Sequence, residues 1–92
     1  MGYYSSAMAS ITLPTVAGVA LAATGAAHFV APDAFRPITE PVFPDDTRTW
    51  TYRNGASELA IGTAIAIPAT RKIGLVGLAV YVGFLGFRAA TA

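Results

Sequence analysis

Cysteine is absent from the chain, which excludes disulfides, thiolate metal ligands and thiol redox chemistry by its own residues. Charge is scarce as well. Asp, Glu, Lys and Arg make up 12% of the 92 residues, where an average soluble domain carries roughly 25%. A domain this small has a large surface for its volume and needs a polar coat in water; these charges are too few to supply one. Six bases against five acids leave a net charge of +1. No basic cluster of the kind that neutralises phosphates is present, so nucleic acid is not an expected partner. A single histidine excludes haem held by two histidines of one chain, and no His/Asp/Glu group has metal-ligand spacing. Neither a metal nor a cofactor is expected from these residues. Met1 to Ser10 has no Lys or Arg, whereas a secretory signal opens with positive charge, so the first apolar stretch reads as a retained helix.

What is plentiful is apolar surface, with 54% hydrophobic residues and a mean hydropathy of +0.56. The natural solvent for it is lipid. The fold expected is all-α, an integral membrane bundle of three transmembrane helices forming one domain over residues 1–92. Helix one covers about 11–30, where about 20 residues span the roughly 30 Å hydrocarbon core, with Pro14 in its first turn, where a missing N–H costs little. Residues 31–46 hold four of the six prolines and four of the five acids. Such a segment forbids a continuous helix, and irregular backbone cannot face lipid, so it is a surface loop. Asp45 or Asp46 is an N-cap for helix two at about 47–68, which Pro68 closes. Trp50 and Tyr52, beside Arg48 and Arg53, fit an interfacial aromatic belt. Arg71-Lys72 makes a basic turn into helix three at about 73–88, with Arg88 able to snorkel at its exit. Short loops with Lys or Arg stay cytoplasmic, which puts the N-terminus in the cytoplasm and loop 31–46 outside.

Glu58 is the only acid outside the loop. An ionised group at the bilayer centre costs on the order of 3 kcal/mol, so such residues face protein and find partners. Asn54, Gly55 and Gly62 share its helix face. On helix one, His28 stacks over Thr24 and Gly25 in a second small and polar stripe. If the two helices are antiparallel neighbours, His28 and Glu58 reach similar depth and form a buried polar pair; the alternative is that Glu58 snorkels to Arg53 or Arg48. Buried polar pairs between membrane helices are more often structural than reactive, so no catalytic residue is assigned. Glycines 74, 77, 83 and 86 allow close packing of helix three, and Tyr81, Phe84 and Phe87 read as lipid-facing or packing aromatics.

The order Gly25-Ala26-Ala27-His28-Phe29, Pro32, Phe35, Pro41 or Pro44, Tyr52, Gly55-Ala56-Ser57-Glu58, Gly62 and Pro68-Ala69-Thr70-Arg71 resembles the DoxX-like family of small bacterial integral membrane proteins over about residues 25–72. That resemblance implies a compact bundle in the plasma membrane of a bacterium, with His28 and Glu58 buried. It also implies association with membrane oxidoreductase or quinone-linked assemblies. The family usually has four helices where this chain offers three, so a neighbouring protein would supply the missing wall unless the sequence is shortened.

The leading expectation for function is therefore a non-enzymatic accessory subunit packing against a larger membrane protein complex, respiratory or transport. The alternatives are a module binding a quinone, isoprenoid or lipid, with His28 and Glu58 at its polar end, and a subunit of a membrane oxidoreductase using a partner's cofactor.

Overall fold

Prolines and polar runs punctuate the described residues into four α-helices: α1 (Gly2–Val30), α2 (Arg36–Thr39), α3 (Thr47–Ala66) and α4 (Arg71–Thr91). 3-10 turns lie at Pro32–Phe35 and Pro68–Thr70. The computed structural model describes the backbone of residues 2–92 and the side chains from Leu13 onward. Among the described residues there is no strand, as the all-α expectation requires. The three long helices form a row measuring 54 × 25 × 17 Å. α3 lies in the middle, and among the described residues α1 and α4 each pack on α3 and meet one another through side chains at the Arg71 turn.

Among the described residues two helices, not three, are long and apolar enough to cross a membrane: Leu13–Val30, mean hydropathy 1.5, and Pro68–Thr91, mean hydropathy 1.8. Only 17% and 6% of these spans are buried inside the protein, whereas the core helix of a water-soluble domain is largely covered. Val16, Val19, Ile73, Val76, Val80 and Phe87 are all exposed. α3 is less apolar: it carries Arg48, Arg53 and Glu58 and buries polar or small residues, Thr51, Asn54, Gly55 and Gly62, with Ile65. Flanked on two sides, it has less need of an apolar surface.

The α1–α3 seam is backbone against backbone. Gly18 and Gly25 are seven residues apart on α1, and Gly55 and Gly62 are seven apart on α3, a spacing that keeps each pair on one helix face. A Cβ on Gly18 would lie 2.5 Å from the amide nitrogen of Ala66 and 2.6 Å from the carbonyl oxygen of Gly62. The relation is reciprocal at Gly62, and Gly25 and Gly55 repeat it one repeat along. The helices are thus antiparallel, near enough for Cα–H···O contacts. α4 packs less closely. Gly74 and Gly77 lie against Ile65 and Ile61 of α3, but a Cβ on Gly83 or Gly86 meets nothing within 4 Å. Only half of the glycine-rich face expected to pack does so.

The turn after α3 shows why Pro68, Thr70 and Arg71 follow one another. Ile67 precedes a proline and is extended, at φ −94° and ψ 118°, so α3 ends at Ala66, not at 68, and its last carbonyls lose their helical donors. Side chains replace them. Thr70 Oγ1 donates to Ala64 O at 2.8 Å, Arg71 Nε to Ile65 O at 2.8 Å, and Thr15 Oγ1 to Ala66 O at 3.2 Å. The Arg71 guanidinium also reaches Thr15 Oγ1 at 3.4 Å and so ties the start of α4 to α1. Arg71→Ala should lower stability by about 1–3 kcal/mol, read as loss of helical circular dichroism on titrating a mild detergent with a denaturing one; no change would mean that water serves these carbonyls equally well.

Other boundaries move too. α1 begins at Gly2 rather than 11, so Pro14 lies inside the helix and not in its first turn. α4 runs from Arg71 to Thr91 rather than 73–88. Asp46 occupies the N-cap position of α3, but its side chain makes no capping bond and its backbone is left-handed, φ 55° and ψ 41°. Thr47 Oγ1 instead donates to Phe43 O at 2.6 Å.

Segment 31–46 is not an irregular loop but a folded cap. Pro32 starts the 3-10 turn and Pro37 lies in the first turn of α2, positions where proline's missing N–H is not needed. Phe43 is 1% exposed. Its ring stacks on Trp50 at 4.5 Å between centroids and lies 6.1 Å from Phe84, while the Arg88 guanidinium sits over it at 4.7 Å. This aromatic clasp joins the cap, α3 and the end of α4. The ion pairs Arg36–Glu40, 2.7 Å, and Arg48–Asp33, 3.2 Å, are exposed and contribute little.

Candidate functional site

Antiparallel packing brings the loop-side halves of α1, α3 and α4 level, and three polar side chains meet there. His28 is 4% exposed. Its Nδ1 lies 2.7 Å from Thr24 O; a backbone carbonyl only accepts, so Nδ1 carries the hydrogen. Phe35 from the cap stacks on the ring, with centroids 3.7 Å apart and planes inclined by 18°. Gly55 makes room for His28, because a Cβ there would lie 2.5 Å from the histidine's own Cβ. The imidazole is thereby fixed in position, orientation and tautomer.

His28 Nε2 lies 3.9 Å from Glu58 Oε2, too far for a hydrogen bond. Oε2 instead accepts from Tyr81 Oη at 2.7 Å. The expected His28–Glu58 pair is therefore a juxtaposition without a bond, and the donor to the carboxylate comes from α4. Glu58 does not snorkel: Arg53 stacks over Trp50 at 4.9 Å and Arg48 pairs with Asp33. Tyr81→Phe should cost about 0.5–2 kcal/mol, the usual range for a hydrogen bond between membrane helices, and should shift the Glu58 carboxyl carbon resonance in a labelled sample. An unmoved resonance would show that the phenol does not reach it.

The supporting residues divide. Asn54 is buried and lines the site. Thr24 contributes its carbonyl only, since its hydroxyl donates to Ala20 O on the exposed side. Gly25, Gly55 and Gly62 set helix separation. Tyr81 was not legible as a site residue, although its hydroxyl is a polar atom on an otherwise apolar stretch of α4 that lipid cannot satisfy.

Beside this cluster is a half-open chamber of about 440 Å³. His28, Asn54, Glu58 and Tyr81 form its polar end. Ile38, Val42 and Phe43 of the cap and Val82, Leu85 and Ala89 of α4 supply apolar walls. The combination of apolar lining and a few convergent polar groups is that of small-ligand pockets.

One family model, a domain of unknown function (DUF8561), matches residues 17–91. The chain belongs to this family. The match spans α4 as well as the stretch from which a DoxX-like resemblance was read, and that resemblance is overturned. Its residues have local physical reasons that any close antiparallel helix pair shares. Gly25 and Gly55 allow contact, His28 and Glu58 are polar groups turned from lipid, and Pro68, Thr70 and Arg71 end a helix and bond its carbonyls. No curated protein and no solved structure matches this DUF8561 member.

Proposed function

We propose that this DUF8561 protein is a non-enzymatic membrane binding module, with α1, α3 and α4 all crossing the bilayer and the chamber receiving the polar head of a lipophilic ligand. The observation that carries this reading is the polar cluster of His28, Glu58 and Tyr81 at one end of an apolar-walled chamber. Supporting a third crossing, the 20 residues of α3 measure about 30 Å at 1.5 Å each. Its two arginines lie in its loop-side half, whereas Leu59, Ala60 and Thr63 are what it exposes deeper along. The Arg71-Lys72 turn is then cytoplasmic and the cap is outside.

The test is native mass spectrometry of the full chain extracted from its own membranes in mild detergent. A retained lipophilic molecule is expected, and Gly86→Phe, which puts a ring into the chamber, should remove it. An empty wild-type protein would end the proposal.

A second reading, an accessory subunit of a larger respiratory or transport complex, is favoured by a different face. Ser57, Ile61, Gly77 and Val80 line a further groove of about 380 Å³ between α3 and α4, with small side chains that would let a partner approach closely. Stoichiometric co-purification of one large membrane protein would support it, and a solitary monomer would count against it.

A further inference from the structure

Granting that the chamber binds a lipophilic ligand, we propose that the head group it selects is an amine bearing N–H donors and a positive charge, rather than a carbonyl such as that of a quinone. The argument is an inventory of donors and acceptors. His28 has spent its hydrogen on Thr24 O, and Tyr81 has spent its own on Glu58 Oε2. What remain at the polar end are acceptors: the lone pair of His28 Nε2 and the Glu58 carboxylate, whose Oε1 has no donor among the described residues. Two acceptors 3.9 Å apart repel unless a donor stands between them. A nitrogen about 2.8 Å from each sees them at an angle of about 90°, within the bending range of two N–H bonds of one ammonium group. A carbonyl placed there would add a third acceptor. Asn54 can still donate, but it is one amide against two acceptors.

Charge argues the same way. Glu58 side-chain exposure is 13%, and no arginine or lysine lies against it: Arg53 is held over Trp50, Arg88 over Phe43 and Trp50, Arg48 against Asp33, and Arg36 against Glu40. A largely buried carboxylate with neutral polar neighbours and without a resident cation is stabilised by a cationic ligand. The apolar walls accept its hydrocarbon chain. A proton on His28 Nε2 or on Glu58 offers the same compensation, so protons and amine compete for one site. The groups that face it are His28 of α1, Glu58 and Asn54 of α3, Tyr81 of α4 and Thr39 of the cap, and none brings a second positive charge.

The single histidine makes the test direct. The full chain, labelled with ¹⁵N-histidine and placed in zwitterionic lipid nanodiscs, would be titrated with dodecylamine, dodecanol or 2-dodecanone while the two imidazole nitrogens are followed. Dodecylamine should give a saturable shift at Nε2 with Nδ1 unmoved, and its affinity should exceed that of the ketone about tenfold or more. Glu58→Gln, shown still helical by circular dichroism, should lose about as much affinity for the amine. Lowering the pH should weaken the amine in both proteins, because His28 remains in the variant to take the competing proton. A ketone that binds as well as the amine, or amine binding indifferent both to Glu58→Gln and to pH, overturns the head-group assignment while leaving a ligand module. Silence with all three probes overturns the module itself.

Discussion

Gly25→Ala should separate α1 from α3, while the same substitution at Gly83 should do no harm. A Cβ on Gly25 would lie within 3 Å of backbone atoms of Gly55, Glu58 and Leu59, none of which can yield without moving a whole helix. Overpacking of this kind costs about 1–3 kcal/mol and sometimes more, and here it also withdraws His28 from Glu58. At Gly83 the new methyl meets open space, so only the helix propensity changes, in alanine's favour by up to about 1 kcal/mol. Thermal melts of the two variants in one detergent, followed by circular dichroism, should therefore move in opposite directions. A Gly25→Ala protein as stable as the wild type would mean that the seam is not as close as described.

Phe43→Ala should release the cap. The ring is buried against Trp50 and Phe84 and beneath the Arg88 guanidinium, and truncating a buried phenylalanine costs about 3–5 kcal/mol. Because Phe43 also walls the chamber, stability and ligand retention should fall together. The fluorescence of Trp50, the only tryptophan, reports the change as a red shift when water or headgroups replace the aromatic partner. Unshifted emission would show that Trp50 keeps its surroundings without Phe43.

How much of this was legible in the residues depends on which force set each feature. The end of α1 at Val30 and the start of α3 at Thr47 were, because prolines and acids enforce them locally. The start of α1 was not: hydropathy marks the stretch that suits lipid, and the serines before Ile11 do not prevent a helix from extending beyond it. Segment 31–46 looked irregular from its prolines, yet Pro32 and Pro37 stand where a helical turn begins. The burial of Phe43 and Thr39 depends on α3 and α4, far along the chain. Three spans were expected from three greasy stretches; two qualify, because the middle helix takes its neighbours rather than lipid as its surroundings.

At the site, helix periodicity predicts His28 and Glu58 at similar depth, and two stripes of small residues set the face and the antiparallel register in which the two side chains stand 3.9 Å apart. The hydrogen-bond pattern was not available from periodicity. Thr24 claims the imidazole through a carbonyl, an atom every residue has, and Tyr81 claims the carboxylate from a helix whose rotation about its axis the glycines of α4 leave loosely specified.

The row of helices has unequal joints. α1 and α3 are fastened main chain to main chain along the glycine pairs, while α4 meets the α3 main chain closely at Gly74, near its start, and is held further along by longer side chains, a phenol and an aromatic clasp. A panel attached in this way swings before it tears. Thermal agitation should accordingly widen the gap beside Tyr81 first and give a greasy molecule a sideways door from the lipid, with the imidazole still fastened to its carbonyl.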